Sequence, residues 1–177
     1  PLVLPSERVQ AIVRYLTDNL PLLTISCWST EQINPFLHHL LSKFVTLVYT
    51  ERDAMTAAGE VLKDAGYDVL VNPGKAEIDK FYPRTEHPVI VRPSVTKEPE
   101  ASHGYAPPEK LLVDFLFENI RLNMVEPSEA EQVVANAVRA GRVNMAGLLS
   151  YAKRRDVAVG EINVNQVQKI EGSGVGR

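Results

Sequence analysis

Cysteine is nearly missing: Cys27 stands alone among 177 residues. That excludes an intramolecular disulfide framework and fits a reducing cytoplasm. Long apolar runs are missing too. No stretch approaches the ~20 residues that a membrane-spanning helix needs, and nothing resembles a secretory leader. The expectation is a cytoplasmic protein without a membrane partner. The chain opens on Pro1 rather than Met, so its start is expected to be either processed or a point within a longer chain. Glycine-rich phosphate cradles are absent. Neither Gly-x-Gly-x-x-Gly after a strand nor a Gly-Lys-Ser/Thr loop occurs, and the step at Tyr49–Arg52 has no glycine. The backbone there cannot wrap a pyrophosphate in either common way, so no nucleotide cofactor is expected.

Metal ligands are scarce as well. His38 and His39 are adjacent, so on a helix they point about 100° apart and cannot chelate one ion. His87 and His103 are isolated, and Cys27 lacks a second thiol at zinc-site spacing. No metal site is expected. A triad built on Ser26 or Cys27 lacks the Gly-x-Ser-x-Gly elbow, and Cys27 beside Trp28 reads better as a small buried residue near a core aromatic. A general excess of basic charge is also lacking, since the formal net charge is −3. The average hides an asymmetry: from Val138 onward seven Lys or Arg face three acids. Such a split permits a local anion-binding face on an acidic protein.

What is present describes a folded domain. Apolar residues at 45% and charged residues at 23% are ordinary for a globular protein, and the length suits one well-cored domain with a small appended part. Ser6 caps a helix whose apolar positions are Val9, Ile12, Val13, Leu16 and Leu20, stopped by Pro21. Leu22–Cys27 reads as a strand. A short helix is expected to begin at Pro35 and to bury Phe36, Leu37, Leu40 and Leu41. The strand-like run Phe44–Tyr49 precedes a Thr50/Asp53 capping pair. An Ala-rich helical face then runs through Ala54, Ala57, Ala58, Val61, Leu62 and Ala65 to Gly66, and Tyr67–Val71 is the next strand. Together they predict a right-handed βαβ unit. Pro88–Arg92 supplies another strand.

From Pro93 to Pro108 prolines and few apolar residues describe a surface linker. Beyond it the chain reads as helical. Leu111, Leu112, Val113, Phe115, Leu116, Phe117 and Ile120 cover most of one helix, leaving Asp114, Glu118 and Arg121 as a narrow polar stripe, with Asp114 four residues from Lys110. Ser128 and Glu131 resemble a capping box for a helix ending at Gly141, and Asn144 caps the last helix, with Met145, Leu148, Leu149 and Ala152 inward. The expected fold class is therefore α/β: a small mixed sheet with a βαβ unit over residues 1–106, a helical part packed on it over 107–170, and a flexible tail over 171–177.

Two features bear on function. Acids near strand ends (Glu51, Asp53, Asp68) with Lys75 nearby are the raw material of a divalent-metal nuclease. Glu51 and Asp53 are equally well explained by the dipole at a helix start, and Asp68 belongs at the opposite strand end if the strands are parallel. The second feature is a cluster of cations, Arg139, Arg142, Lys153, Arg154 and Arg155, on one helix–turn–helix hairpin. Helix C-termini favour one or two of them, at ~0.3–1 kcal/mol each. Five exceed what capping requires and would suit phosphates or an acidic partner surface.

The segment Pro-Pro-Glu-Lys-Leu-Leu-Val-Asp-Phe-Leu (Pro107–Leu116), followed by Tyr-Ala-Lys-Arg-Arg (Tyr151–Arg155), resembles the AbiEi family of abortive-infection antitoxins. Cys27-Trp28-Ser29-Thr30 and Asn72-Pro73-Gly74-Lys75 resemble a bacterial branch of uncharacterised proteins with the same ending, and the similarity runs roughly from Leu22 to Asp156. The resemblance implies an antitoxin and transcriptional autoregulator of a type IV toxin–antitoxin system. Its partners would be a nucleotidyltransferase-like toxin and the operator DNA, and phage defence would be the setting. Members carry an N-terminal winged helix, whereas here the first helix leads directly into the α/β part. The expectation is thus a non-catalytic antitoxin-like domain acting through its basic C-terminal surface. The alternatives are a divalent-metal nuclease and an oligomerisation or scaffold domain.

Overall fold

The computed structural model describes residues 4–41, 43–141 and 143–160. The expected tail 171–177 and Arg142 lie outside the described residues. The first helix, α1 (Glu7–Asn19), starts where Ser6 Oγ accepts from the Val9 N–H at 3.3 Å and buries Val9, Ile12, Val13 and Leu16. Strand β1 (Ile25–Ser29) runs through Trp28 and ends in a capping box, in which Ser29 Oγ accepts from Glu31 N and Gln32 Oε1 accepts from Ser29 N. A 3₁₀ helix, Thr30–Phe36, follows. The helix expected to begin at Pro35 instead begins at Thr30, contains that proline and ends at Phe36. The capping box starts the turn earlier, and Leu40 is exposed.

β2 (Thr46–Thr50), β3 (Val69–Val71) and β4 (Val89–Pro93) complete one four-stranded sheet in the order β1-β2-β4-β3. β1 is antiparallel to β2, while β4 is parallel to both β2 and β3. The βαβ unit β2-α2-β3 is present, with α2 at Met55–Asp64, and β4 lies between its two strands. The Thr50/Asp53 capping pair does not form. Thr50 Oγ1 donates to the Thr24 carbonyl across the sheet, and a 3₁₀ turn at Arg52–Ala54 leads into the helix. That turn rotates the helix relative to the expected Ala face, and Met55, Ala58, Gly59 and Leu62 point inward. Gly59 has a reason to be glycine: a Cβ there would sit 2.3 Å from Val71 Cγ2, so α2 lies directly on β3.

Alternation along the strands sorts side chains onto two faces. Cys27, Val48, Val89 and Val91 pack with α1 and α2. Trp28, Leu47, Tyr49 and Ile90 pack with the helices after residue 107, so the C-terminal part shares its core with the sheet. These helices are α4 (Pro108–Leu122), α5 (Pro127–Arg139) and α6 (Met145–Arg155), and α3 (Lys75–Phe81), which no periodicity announced, joins the same layer through Ile78. α5 starts at Pro127 without a side-chain cap, so the expected Ser128/Glu131 box is not made, whereas Asn144 does cap α6. The linker of residues 93–108 is tied down. Cys27 donates to the Gly104 carbonyl at 2.8 Å and accepts from Ala106 N at 3.0 Å, covering the free edge of β1. Among the described residues no helix is long and apolar enough to cross a membrane.

A buried ionic cluster and a basic recess at the sheet edge

α4 inverts the expected polarity. Asp114 and Glu118 are fully buried, together with Lys110, and Ile120 is 77% exposed. Lys110, Asp114 and Glu118 recur every four residues, so they line one stripe of the helix. That stripe faces the sheet and α6, not solvent.

Lys110 Nζ donates to Asp114 Oδ2 at 2.8 Å and to Glu98 Oε2 at 2.9 Å, and it lies 3.8 Å from the centre of the Tyr49 ring. Tyr151 Oη donates to Asp114 Oδ1 at 2.8 Å. Arg155 Nε stands 3.1 Å from the same oxygen, an ion-pair contact without hydrogen-bond direction. One turn further along α4, Arg92 from β4 meets Glu118 through two parallel bonds of 3.0 Å each, and its third nitrogen donates to the Pro73 carbonyl at 2.9 Å. The interior thus holds charges that are mutually paired and hydrogen-bonded, the condition under which burial of ions is tolerable.

Contacts between α4 and α6 advance together: Lys110 meets Tyr151, Asp114 meets Tyr151 and Arg155, and Phe117 meets Arg155. The two helices are therefore parallel and end side by side. At those ends the guanidiniums of Arg121 and Arg155 lie 3.8 and 3.6 Å from the centre of the Phe117 ring. Two planar groups so close to one ring cannot share a face, so they sandwich Phe117, a cation–π arrangement. The same corner receives Tyr49 and Arg92 from the last turns of β2 and β4, and Asn72 just after β3. It is thus the C-terminal edge of the parallel strands, where open α/β sheets place their ligands. A recess of about 140 Å³ lies among Tyr49, Arg92, Phe117 and Arg155, and a wider cavity of about 550 Å³ adjoins it across Phe117, Arg121 and Arg155.

Burial pushes the phenol of Tyr49 well above its ordinary value, aided by the charges of Asp114 and Glu118. Burial also raises Tyr151, aided by Asp114. Burial likewise raises the Asp114 carboxyl, against the opposing pull of Lys110 and Arg155. For the two phenols the folded chain retains protons that the unfolded chain releases above pH ~10. Their contribution to stability is complete below that pH and declines as pH rises further. In an alkaline titration, the phenolate absorbance of Tyr49 and Tyr151 is expected to appear only as the near-ultraviolet dichroism of the fold is lost. All six tyrosines ionising in the still-folded chain would contradict this.

Of the five expected cations, the four described ones do not share one exposure. Arg155 is turned inward, with 9% of its side chain exposed, because Asp114 and the Phe117 ring attract it. Lys153 and Arg154 are exposed, and Arg154 donates to Ser150 Oγ and to the Lys97 carbonyl. Arg139 is exposed at the end of α5 and donates to Asn136. The start of α6, Met145, lies roughly 12 Å from Lys153 along that helix. Arg142 lies outside the described residues. The stripe Lys110, Asp114, Glu118 and its partners Arg92, Tyr49 and Tyr151 were not anticipated as a unit. The available signal was the near-complete apolar coverage of α4, since a helix apolar on most sides is buried and takes its polar residues inside with it.

The material of a nuclease site is dispersed. Glu51 follows the end of β2, whereas Asp68 precedes β3 at the level of Thr46 and Val89, the other end of the sheet. Among the described residues no three His, Cys, Asp or Glu converge as metal ligands. Cys27 is buried and burial raises its thiol far above the usual range, which keeps it un-ionised.

Residues 4–168 match the model of a family described as "Family of unknown function (DUF6577)", and the chain belongs to that family. No curated protein and no solved structure matches the chain.

Proposed function

We propose that this member of the DUF6577 family is a non-catalytic recognition domain of the antitoxin type. In this reading it is cytoplasmic and engages a nucleotidyltransferase-like toxin or the operator DNA through cations at the C-terminal end of α6. One observation carries the reading. The two motifs behind the AbiEi resemblance lie 41 residues apart at Lys110 and Tyr151 and meet in one hydrogen-bonded unit. Lys110, Asp114, Tyr151 and Arg155 are engaged with one another and bind α6 to α4. A general base or nucleophile has to face a substrate, and these groups are held inside. What α6 offers outward is Lys153 and Arg154, side chains suited to phosphates or carboxylates.

The test is a double variant, Lys153→Ala with Arg154→Ala, compared with Arg139→Ala. Both carry surface substitutions and are expected to unfold within about 0.5 kcal/mol of wild type. The double variant is expected to lose toxin neutralisation in co-expression and to retard operator DNA at least about tenfold more weakly, with a shallower salt dependence. Arg139→Ala is expected to leave both close to wild type. Undiminished neutralisation and DNA retardation by the double variant would remove this surface from the account.

A further inference from the structure

We infer that the recess between Tyr49 and Arg155 is a binding site for the oxyanion of a phosphomonoester, with the adjoining cavity taking the organic body of the ligand. The observation is a pair of donors without acceptors. Tyr49 Oη and Arg155 Nη2 are both buried, neither has a hydrogen-bond partner among the described residues, and both residues line the same recess of about 140 Å³. Buried donors left unpaired cost stability, so two of them on one cavity signal a group that arrives from outside. The group must accept rather than donate at Arg155, because a guanidinium has no acceptor, while Arg92 and Glu118 on the same wall are already paired with each other.

Size and charge narrow the class. At ~30 Å³ per water the recess of about 140 Å³ holds about five waters, or one tetrahedral oxyanion in their place. Arg92 is neutralised by Glu118, and the Asp114 charge is shared among Lys110, Tyr151 and Arg155. Arg121, held over Phe117 at the mouth, adds a further positive charge. A guanidinium already held flat against an aromatic ring is preorganised, so little rotamer freedom is lost when it binds phosphate. The outer cavity of about 550 Å³ has Ile78, Phe117 and Ile120 on its wall. It falls within the ~300–1,000 Å³ typical of small-molecule sites, enough for a body of mononucleotide size. This site stands on Tyr49 and Arg155 and does not depend on the antitoxin reading.

The experiment is calorimetric titration of the full chain with inorganic phosphate, a nucleoside 5′-monophosphate and the same nucleoside without phosphate. Both phosphate-bearing probes are expected to bind and the nucleoside is not. A monophosphate tighter than phosphate assigns the outer cavity to the organic body. Equal affinity leaves the recess as a site for the phosphate group alone, which still supports it. The decisive variant is Tyr49→Phe, which removes a hydroxyl that no group among the described residues uses. Its unfolding midpoint is expected to match or exceed wild type, while monophosphate affinity falls by about tenfold or more. Absence of binding by either phosphate-bearing probe, equal binding of the bare nucleoside, or full affinity in Tyr49→Phe would overturn the assignment.

Discussion

Asp114→Ala is expected to destabilise the chain by about 3–5 kcal/mol, the largest loss available from a single side chain at this site. The carboxylate accepts from Lys110 Nζ and Tyr151 Oη at 2.8 Å each and lies 3.1 Å from Arg155. Lys110 is fully buried, so removing Asp114 leaves it with Glu98 as its remaining carboxylate and leaves Arg155 with none. Lys110 cannot regain water without opening the contact between α4 and α6, whereas Arg155 keeps only the recess beside Tyr49 to draw water from. Removing the anion thus costs more than the pair contributes when intact, because an uncompensated buried charge remains. Urea unfolding read by circular dichroism measures the loss. Asp114→Asn keeps the volume and one acceptor oxygen but not the charge, and is expected to recover only part of it. A shift below about 1 kcal/mol for Asp114→Ala would mean that the cluster is wet and weakly coupled.

Glu118→Ala comes second, at a comparable magnitude of about 3–5 kcal/mol. Glu118 is fully buried and meets Arg92 through two 3.0 Å bonds, while 8% of the Arg92 side chain is exposed. After truncation Arg92 retains the Pro73 carbonyl and a 3.4 Å contact to Asn72, neither of them charged. The double variant Arg92→Met with Glu118→Leu separates the pair from the penalty of breaking it. Apolar side chains of similar volume remove both charges, and this variant is expected to lose far less than Glu118→Ala alone. Should single and double variants lose equally, packing rather than charge would explain Glu118.

Much of the fold was legible because local chemistry and burial agree. Ser6 and Asn144 cap the helices they were read to cap, and Gly66 and Gly141 adopt the positive φ that ends a helix, at 86° and 65°. The α/β class, the βαβ unit and the helical C-terminal part followed from apolar runs of strand length separated by helical periodicity, whereas the insertion of β4 between β2 and β3, parallel to both, did not. Capping pairs read from spacing alone failed at Thr50 and Ser128, because a cross-sheet carbonyl and a proline-led start won locally. α3 escaped notice because its single buried residue, Ile78, gives no periodicity.

The site was less legible, for a physical reason. Polarity in a sequence reads as exposure, yet Lys110, Asp114 and Glu118 are buried because Arg92, Tyr49, Tyr151 and Arg155 arrive from distant segments to pair with them. The Lys110–Asp114 pairing at four-residue spacing could be read directly. Its burial could not, since that depends on β2, β4 and α6 together. The basic run at Lys153–Arg155 was visible, but its division was not. Helical geometry turns Arg155 toward Asp114 and leaves its two neighbours outside.

The central claim is that recognition, without reaction, takes place where α4 and α6 end together. Amide shift mapping of the ¹⁵N-labelled full chain against the proposed partner, a nucleotidyltransferase-like toxin or an operator duplex, addresses it most directly. The largest perturbations are expected at Arg121 and Lys153–Asp156, with the buried segment Leu111–Leu116 unmoved. Perturbations confined to the distant apolar cavity beside Ile33, Phe36 and Tyr105 would place the partner on another face and contradict the account.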